Sequence, residues 1–405
     1  MDSYKIAESH SLDTVGPAHG LSPDQNDSDM SLDRISDLAR DLNSSIGQAI
    51  DLITNVNVQT RLLSFNAQIE AARAGGSSGA AFAVVAQAIQ ELSDRTSKVA
   101  KDMNEETQGT IKEVDHISEV MAYRMLGTRL RDLALNNIDL IDRNLYERTC
   151  DVRWWATDSS LVDALSHRSR EGMDFASRRM GIILSAYTVY YDLVLTDLDG
   201  KVVANGRPDR YRSVGADVSE SQWFRSARAT SNGDEYGFET CHRSSLVNGE
   251  RVLAYSCVVR EGGESTGRPL GVLGILFNWD ELAQVIVERT PLPQEEWSRS
   301  RVCIVDQSGK VLADTKNSNG NETLDTEITS LFSEERNYSM INTSGKASVV
   351  AHAAAPGYET YSTGWHSIII QERPERNNAK SKTSTRSRSS RSAFTGELSS
   401  LVQLA

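Results

Sequence analysis

The sequence predicts two kinds of fold in one chain. The first is a long antiparallel helical hairpin that pairs with a second copy as a four-helix coiled coil. The second is a C-terminal α+β region of antiparallel strands, making the class α plus α/β mixed. Three observations carry this. Apolar residues step by three and four through the first part of the chain. A glycine-rich stretch then interrupts that pattern. From Asp192 the period changes to two, and the unit DLVLTDLDGKVVAN returns about 110 residues later as VCIVDQSGKVLADT.

The hairpin is expected over residues 31–143. Its seam runs through Leu32, Ile35, Ala39, Leu42, Ile46, Ala49, Ile53, Val56, Thr60, Leu63 and Ala67. A repeat of 3.5 residues keeps one stripe facing a partner as helices supercoil. No proline falls between Asp24 and Pro208. After Gly75-Gly76-Ser77-Ser78-Gly79, where the reversal is expected, a second series runs through Val85, Ile89, Leu92, Thr96, Val99 and Met103. It continues with a phase slip through Ile111, Val114, Met121 and Met125. A lone hairpin cannot hide two apolar stripes, so a homodimer is expected.

The α+β region is expected to divide into a module over 144–290, with a long N-terminal helix ending near Tyr190, and one over 291–372. DG and NG turns join strand runs at Asp199-Gly200 and Asn248-Gly249. The buried strand LGVLGILFNW leads to Asp280, read as the cap of the helix that follows.

Composition removes several classes. A net charge of -13 and pI of about 5.1 argue against nucleic-acid binding, which needs a basic face. No apolar run is long enough to span a membrane; the longest, Leu270 to Trp279, is about half the length a span needs. The N-terminus lacks the order of a signal peptide. Cys150, Cys241, Cys257 and Cys303 are too few and scattered for a disulfide scaffold. A cytoplasmic protein is expected. Residues 1–30 read as a disordered acidic tail. Residues 373–405 read as a flexible basic tail, with Lys380, Lys382, Arg386, Arg388 and Arg391 spaced by Ser and Thr.

The segment from Asn57 to Ala100 resembles the hairpin tip of methyl-accepting chemotaxis receptors. Gln59-Thr60, Leu62-Leu63, Asn66-Ala67, Ile69 through Gly75 and Phe82 through Ala86 match that pattern in order. The resemblance implies that Asn66, Glu70 and Arg73 lie in dimer-to-dimer contacts of a receptor cluster. It implies that Leu62 and Val84 face an adaptor protein or a chemotaxis histidine kinase, with Phe82 in the same tip. Departures are Arg61 for Asn, Gly76 for Glu, Gly79-Ala80-Ala81 for Gly-Arg-Gly, and one extra residue in the turn. Glu105-Glu106 is too near the tip to be a methylation pair.

The region from Asn144 to Gln371 resembles a double Cache (PAS-like) sensor domain. The resemblance rests on NLYERTCDVRWWATD, the strand pair from Leu193 to Asn205, QWFRSA, and GVLGILFNWDELA. It departs where the family has an Asp, here Leu276, and in Ser221-Gln222-Trp223-Phe224, which replaces the Arg-x-Trp-Tyr of amino-acid binders. A small ligand is expected in the first module. Trp223, Tyr236 and Tyr255 offer flat faces, and Arg225 and Arg243 are candidates to pair a carboxylate. The second module's insert, Asn317 to Asn342, is polar and the poorer host. Cys241 and Cys257 read as buried thiols; no metal and no cofactor are expected.

No nucleophile elbow, phosphate loop or zinc-protease motif occurs, so an enzyme is not expected. The reading is a cytosolic chemoreceptor-like transducer. It binds a small molecule in the Cache region, and the change passes along the helix from about Ile111 to Tyr190 into the hairpin and so to a chemotaxis histidine kinase. The alternative is a dimeric Cache binding module that controls no kinase.

Overall fold

The computed structural model describes residues 32–316 and 322–373. The two expected tails, Arg373 apart, and residues 317–321 of the insert lie outside the described residues. The chain divides into two units, one up to Leu126 and one from Gly127 on.

In the first unit, α1 (Leu32–Ala74) is followed by the start of α2 (Gly76–Trp155). The reversal is tighter than expected. Gly75 and Gly76 alone take the left-handed backbone, at φ +61° and +68°, and Ser77 to Gly79 are already helical. Gly79 has another role: a Cβ there would meet the Ala71 carbonyl oxygen at 2.5 Å.

The buried face between the two helices is small and polar rather than leucine-rich. Asn57, Ser64 and Ala71 on α1, and Ala86, Ser93 and Ala100 on α2, are buried at seven-residue steps. Ser64 Oγ donates to the Ala86 carbonyl at 2.6 Å, Ser93 Oγ to the Asn57 carbonyl at 3.2 Å, and Gln68 Nε2 to Gln90 Oε1 at 3.0 Å. Arg61 reaches Asp94 across the helices at 3.5 Å. The expected single seam therefore resolves into two stripes. Ile46, Ile53, Thr60 and Ala67 are half-buried within the protomer. Leu42, Ala49, Val56 and Leu63 are exposed, as are Val85, Leu92 and Val99. A 3.5-residue stripe is wide enough for two neighbours, and the hairpin supplies one.

In the second unit, Leu130, Ala134, Ile138, Ile141, Leu145 and Val152 of α2 are fully buried along one helical face. That face is why the unit begins at Gly127, ahead of the expected boundary at Asn144. The long helix does not reach Tyr190. It ends at Trp155 and gives way to α3 (Ser159–His167) and α4 (Arg170–Ala186). Asp158 caps α3 by accepting from Ser160 N at 2.9 Å, and Ser169 Oγ caps α4 by accepting from Gly172 N at 3.1 Å. Arg168, at φ 52°, ends α3 in the left-handed region. The break needs neither Gly nor Pro, so the caps were its sequence signal.

Two antiparallel five-stranded sheets follow. The first comprises β1 (Tyr190–Thr196), β2 (Val202–Asn205), β3 (Gly237–Ser244), β4 (Glu250–Arg260) and β5 (Pro269–Asn278), in the order β2-β1-β5-β4-β3. α5 (Gln222–Arg228) covers it between β2 and β3. The second comprises β6 (Ser300–Val305), β7 (Val311–Asp314), β8 (Arg336–Thr343), β9 (Lys346–Ala354) and β10 (His366–Glu372), in the order β7-β6-β10-β9-β8. The two orders coincide when each sheet is numbered from its own first strand. The duplication extends to single atoms. Asp197 Oδ1 accepts from Asp199 N and Lys201 N, and Asp306 Oδ1 accepts from Ser308 N and Lys310 N.

α6 (Trp279–Glu288) joins the modules. Its cap is Asn278, whose Oδ1 accepts from Glu281 N; Asp280 sits inside the first turn. Trp279 Nε1 donates to the Leu312 carbonyl at 2.9 Å, and Arg251 donates to the same oxygen at 2.8 Å while pairing Asp280 at 2.9 Å.

Candidate functional site

At the hairpin tip the structure leaves the expected contact residues on the surface. Leu62, Phe82 and Val84 are 60%, 66% and 68% exposed, and Asn66 is exposed beside them. Glu70 and Arg73 pair at 3.5 Å one turn apart, both exposed, a geometry worth a few tenths of a kcal/mol at most. An external partner could therefore replace this pairing at little cost. Leu62 has companions that the sequence reading passed over. Val58, Phe65 and Ile69 are also exposed. With Leu62 they recur at steps of four, three and four, which puts them on one helix face. That spacing was the available signal.

The ligand candidates of the first module do not line one pocket. Trp223, on α5, is 1% exposed and packs with Tyr211, Val218, Phe224, Ala254 and Leu276. Its ring lies against the backbone of Gly274, where a Cβ would stand 2.8 Å from it. The family's Asp position, Leu276, is part of this core. Tyr255 points to the other side of the sheet, because Ala254 and Tyr255 alternate along β4. There it packs at a tilt against Phe238 and Tyr236, at centroid distances of 5.0 and 6.2 Å, and its hydroxyl meets that of Tyr361 at 2.8 Å. Arg225 is exposed and pairs Glu220 at 3.4 Å; Arg243 donates to the Gly249 carbonyl at 3.1 Å. Trp223 and Tyr255 thus serve as core of two faces rather than walls of one cavity.

The thiols divide. Cys257 is buried, and burial pushes it up to about 11, whereas Cys241 is half-buried beside Arg251 Nη2 at 3.3 Å. Burial also raises Asp192, to about 6, although its carboxylate accepts from Asn205 Nδ2 at 2.7 Å, Leu193 N and Arg207 N. In the second module His352 Nε2 and His366 Nδ1 share a hydrogen bond at 2.8 Å, with Phe332 stacked 3.9 Å from the His366 ring. Burial lowers both histidines, His352 to about 4, while Asp306 pulls His366 the other way. A polar cavity of about 170 Å³ opens beside Arg301, whose guanidinium is already held by Asp314 and Glu322.

The loop from Ala355 to Trp365 connects three parts of this unit. Tyr361 reaches Tyr255 of the first sheet, and Trp365 packs edge-on to Trp279 at 5.2 Å. Asp142 of α2 accepts from Gly357 N at 2.9 Å, Thr363 N at 3.2 Å and Thr363 Oγ1 at 2.7 Å. Sequence reading assigned this loop no role.

Two family models match this chain. Residues 22–132 match the family model of the methyl-accepting chemotaxis protein (MCP) signalling domain, and residues 80–376 match that of the Cache domain. The methyl-accepting chemotaxis protein McpS of Pseudomonas putida is 42% identical over 84 residues, 21% of this chain and 12% of McpS. McpG of the same species is 37% identical over 101 residues, 24% of this chain and 16% of McpG. The chain thus aligns with a small part of these relatives' length. Among solved structures, the ligand-binding domain of Campylobacter jejuni chemoreceptor Tlp3 in complex with L-valine superposes with a TM-score of 0.47 at 14% identity. It covers 62% of this chain and 95% of that one. That of Pseudomonas aeruginosa PctC with GABA gives 0.44 at 18% identity, covering 62% and 100%. With an MCP signalling segment ahead of two duplicated sheets that fit the Cache model across most of the chain, the protein belongs to the Cache domain family.

Proposed function

We propose that this chain is a cytoplasmic chemoreceptor-type transducer. A small molecule binds in the first Cache module, the hairpin pairs with a second copy, and the tip reports the bound state to a chemotaxis histidine kinase through its adaptor. The exposed tip face of Val58, Leu62, Phe65 and Ile69, flanked by Asn66, Glu70 and Arg73, is the observation that carries the reading. Contiguous apolar surface of this kind on a helix marks a contact site.

Three further features support it. Leu42, Ala49, Val56 and Leu63 with Val85, Leu92 and Val99 form an unpartnered heptad stripe suited to a homodimer. α2 supplies residues to both the hairpin and the sensor unit. All four cysteines are free thiols, as a reducing compartment keeps them. No helix among the described residues is long and apolar enough to cross a membrane. A ligand acts here only through its difference in affinity between two signalling states.

Reconstitution with a chemotaxis kinase and its adaptor tests this. The expected result is a several-fold change in kinase autophosphorylation on adding the chain, abolished by Arg73→Glu. Equal kinase rates with and without the chain would instead favour the dimeric binding module, the reading supported by Arg61, Gly76 and Gly79-Ala80-Ala81 at the tip.

A further inference from the structure

One cavity of the first module stands apart from the packed faces of its sheet. It is an open groove of about 480 Å³, and it lies where the end of α3 and the start of α4 meet the β1–β2 turn. That volume is within the range of small-molecule sites, about 300–1,000 Å³. Leu165, Met173 and Val203 give it an apolar wall, and Val214 stands 56% exposed at its mouth.

Two cations line the same cavity. Arg168 comes from the left-handed residue that ends α3, and Lys201 from the turn before β2. Both are exposed, and neither makes an ion pair among the described residues. The acid in the lining is Asp197, and its Oδ1 already accepts from the backbone N–H groups of Asp199 and Lys201. Two positive charges against one negative leave a formal surplus of one. A monoanion matches that surplus, whereas a dianion would sit uncompensated beside Asp197. An anion with no body, such as acetate or chloride, gains nothing from the apolar wall, where Met173 and Val203 are half-buried and Val214 is exposed.

We infer that this cavity binds a small organic monocarboxylate with an apolar body, the carboxylate held by Arg168 and Lys201. The guanidinium suits a two-pronged grip on a carboxylate and the ammonium adds a second donor. The inference rests on the sensor reading for its signalling consequence only, and binding is measured without any kinase. It also moves the ligand away from Trp223, whose face of the sheet is filled by Tyr211, Val218 and Phe224.

Titration calorimetry of the full chain with octanoate is the test. Octan-1-ol, acetate and octyl phosphate are the comparison ligands. Octanoate is expected to bind at one site, and each of the other three at least about tenfold more weakly. Arg168→Gln and Lys201→Gln are each expected to weaken octanoate by about tenfold while leaving the melting temperature unchanged. A chain that binds octanoate yet leaves the kinase untouched supports this site and removes the receptor reading. Absence of octanoate binding, octan-1-ol binding as tightly as octanoate, octyl phosphate binding more tightly, or wild-type affinity in the Arg168→Gln/Lys201→Gln double variant would each overturn the inference.

Discussion

The hydroxyls of Tyr255 and Tyr361 meet at 2.8 Å across the contact between the two Cache modules, 106 residues apart in sequence. Both rings are buried, so neither oxygen has water to fall back on. Tyr361→Phe leaves the Tyr255 hydroxyl buried without a partner and is expected to cost about 1–3 kcal/mol in urea unfolding. Removing both hydroxyls, with Tyr255→Phe added, is expected to recover much of that loss. A double variant less stable than the single one would show that the pair is not what the single change disrupts.

The second prediction concerns acid. His352 has its folded-state value pulled down to about 4 by burial, from an ordinary 6.5. The unfolded chain therefore binds a proton that the folded one refuses between those values. Stability from this residue is complete above pH 6.5 and declines as pH falls toward 4, by on the order of 2 kcal/mol at pH 5. Asp192 runs the other way, because its raised value favours the fold at low pH. Comparison with His352→Gln cancels that common contribution. The wild type is expected to lose more stability than the variant between pH 7 and pH 5, read by chemical denaturation. Parallel curves would refute the assignment.

Val56 and Leu63 are exposed in the protomer, so lysine there costs the hairpin little by itself. In a paired seam the same charges meet apolar holes. Val56→Lys with Leu63→Lys is expected to give a helical monomer by sedimentation velocity. A dimer of unchanged strength would place the interface elsewhere.

Gly274 admits the Trp223 ring, and a methyl group there would stand 2.8 Å from it and 3.1 Å from Val194. Gly274→Ala is expected to destabilise the first module by about 1–3 kcal/mol. Trp223→Leu in that background is expected to restore part of the loss. Near-ultraviolet circular dichroism and a melt read both effects.

Much of the architecture was legible because it is periodic. The seam, the Gly75 reversal, the DG and NG turns and the duplicated strand unit each announce themselves locally. The ligand site is not legible, because residue type singles out Trp223 and Tyr255 while their placement depends on strand parity and on which helix covers which face. α3 and α4 are hidden in the sequence for a related reason. Asp158 and Ser169 start helices without any breaker, and a polar residue amid helical sequence does not declare itself a cap. Asp142 and the loop it holds involve residues more than 200 positions apart, and no window of sequence contains both.

The hairpin's inner seam is built from Asn57, Ser64, Ala71, Ala86, Ser93 and Ala100. Such a seam has little cohesive energy to spare. Alanine and serine give up far less on separation than leucine would, and hydrogen bonds lost there can be remade with water. The hairpin is therefore held weakly along this seam, and in the receptor reading proposed above a tighter and a looser form would differ little in free energy. A tenfold preference of a small molecule for one form amounts to about 1.4 kcal/mol. Under the proposed function, that is a weak lever against a leucine zipper and a stronger one against a seam of alanine and serine.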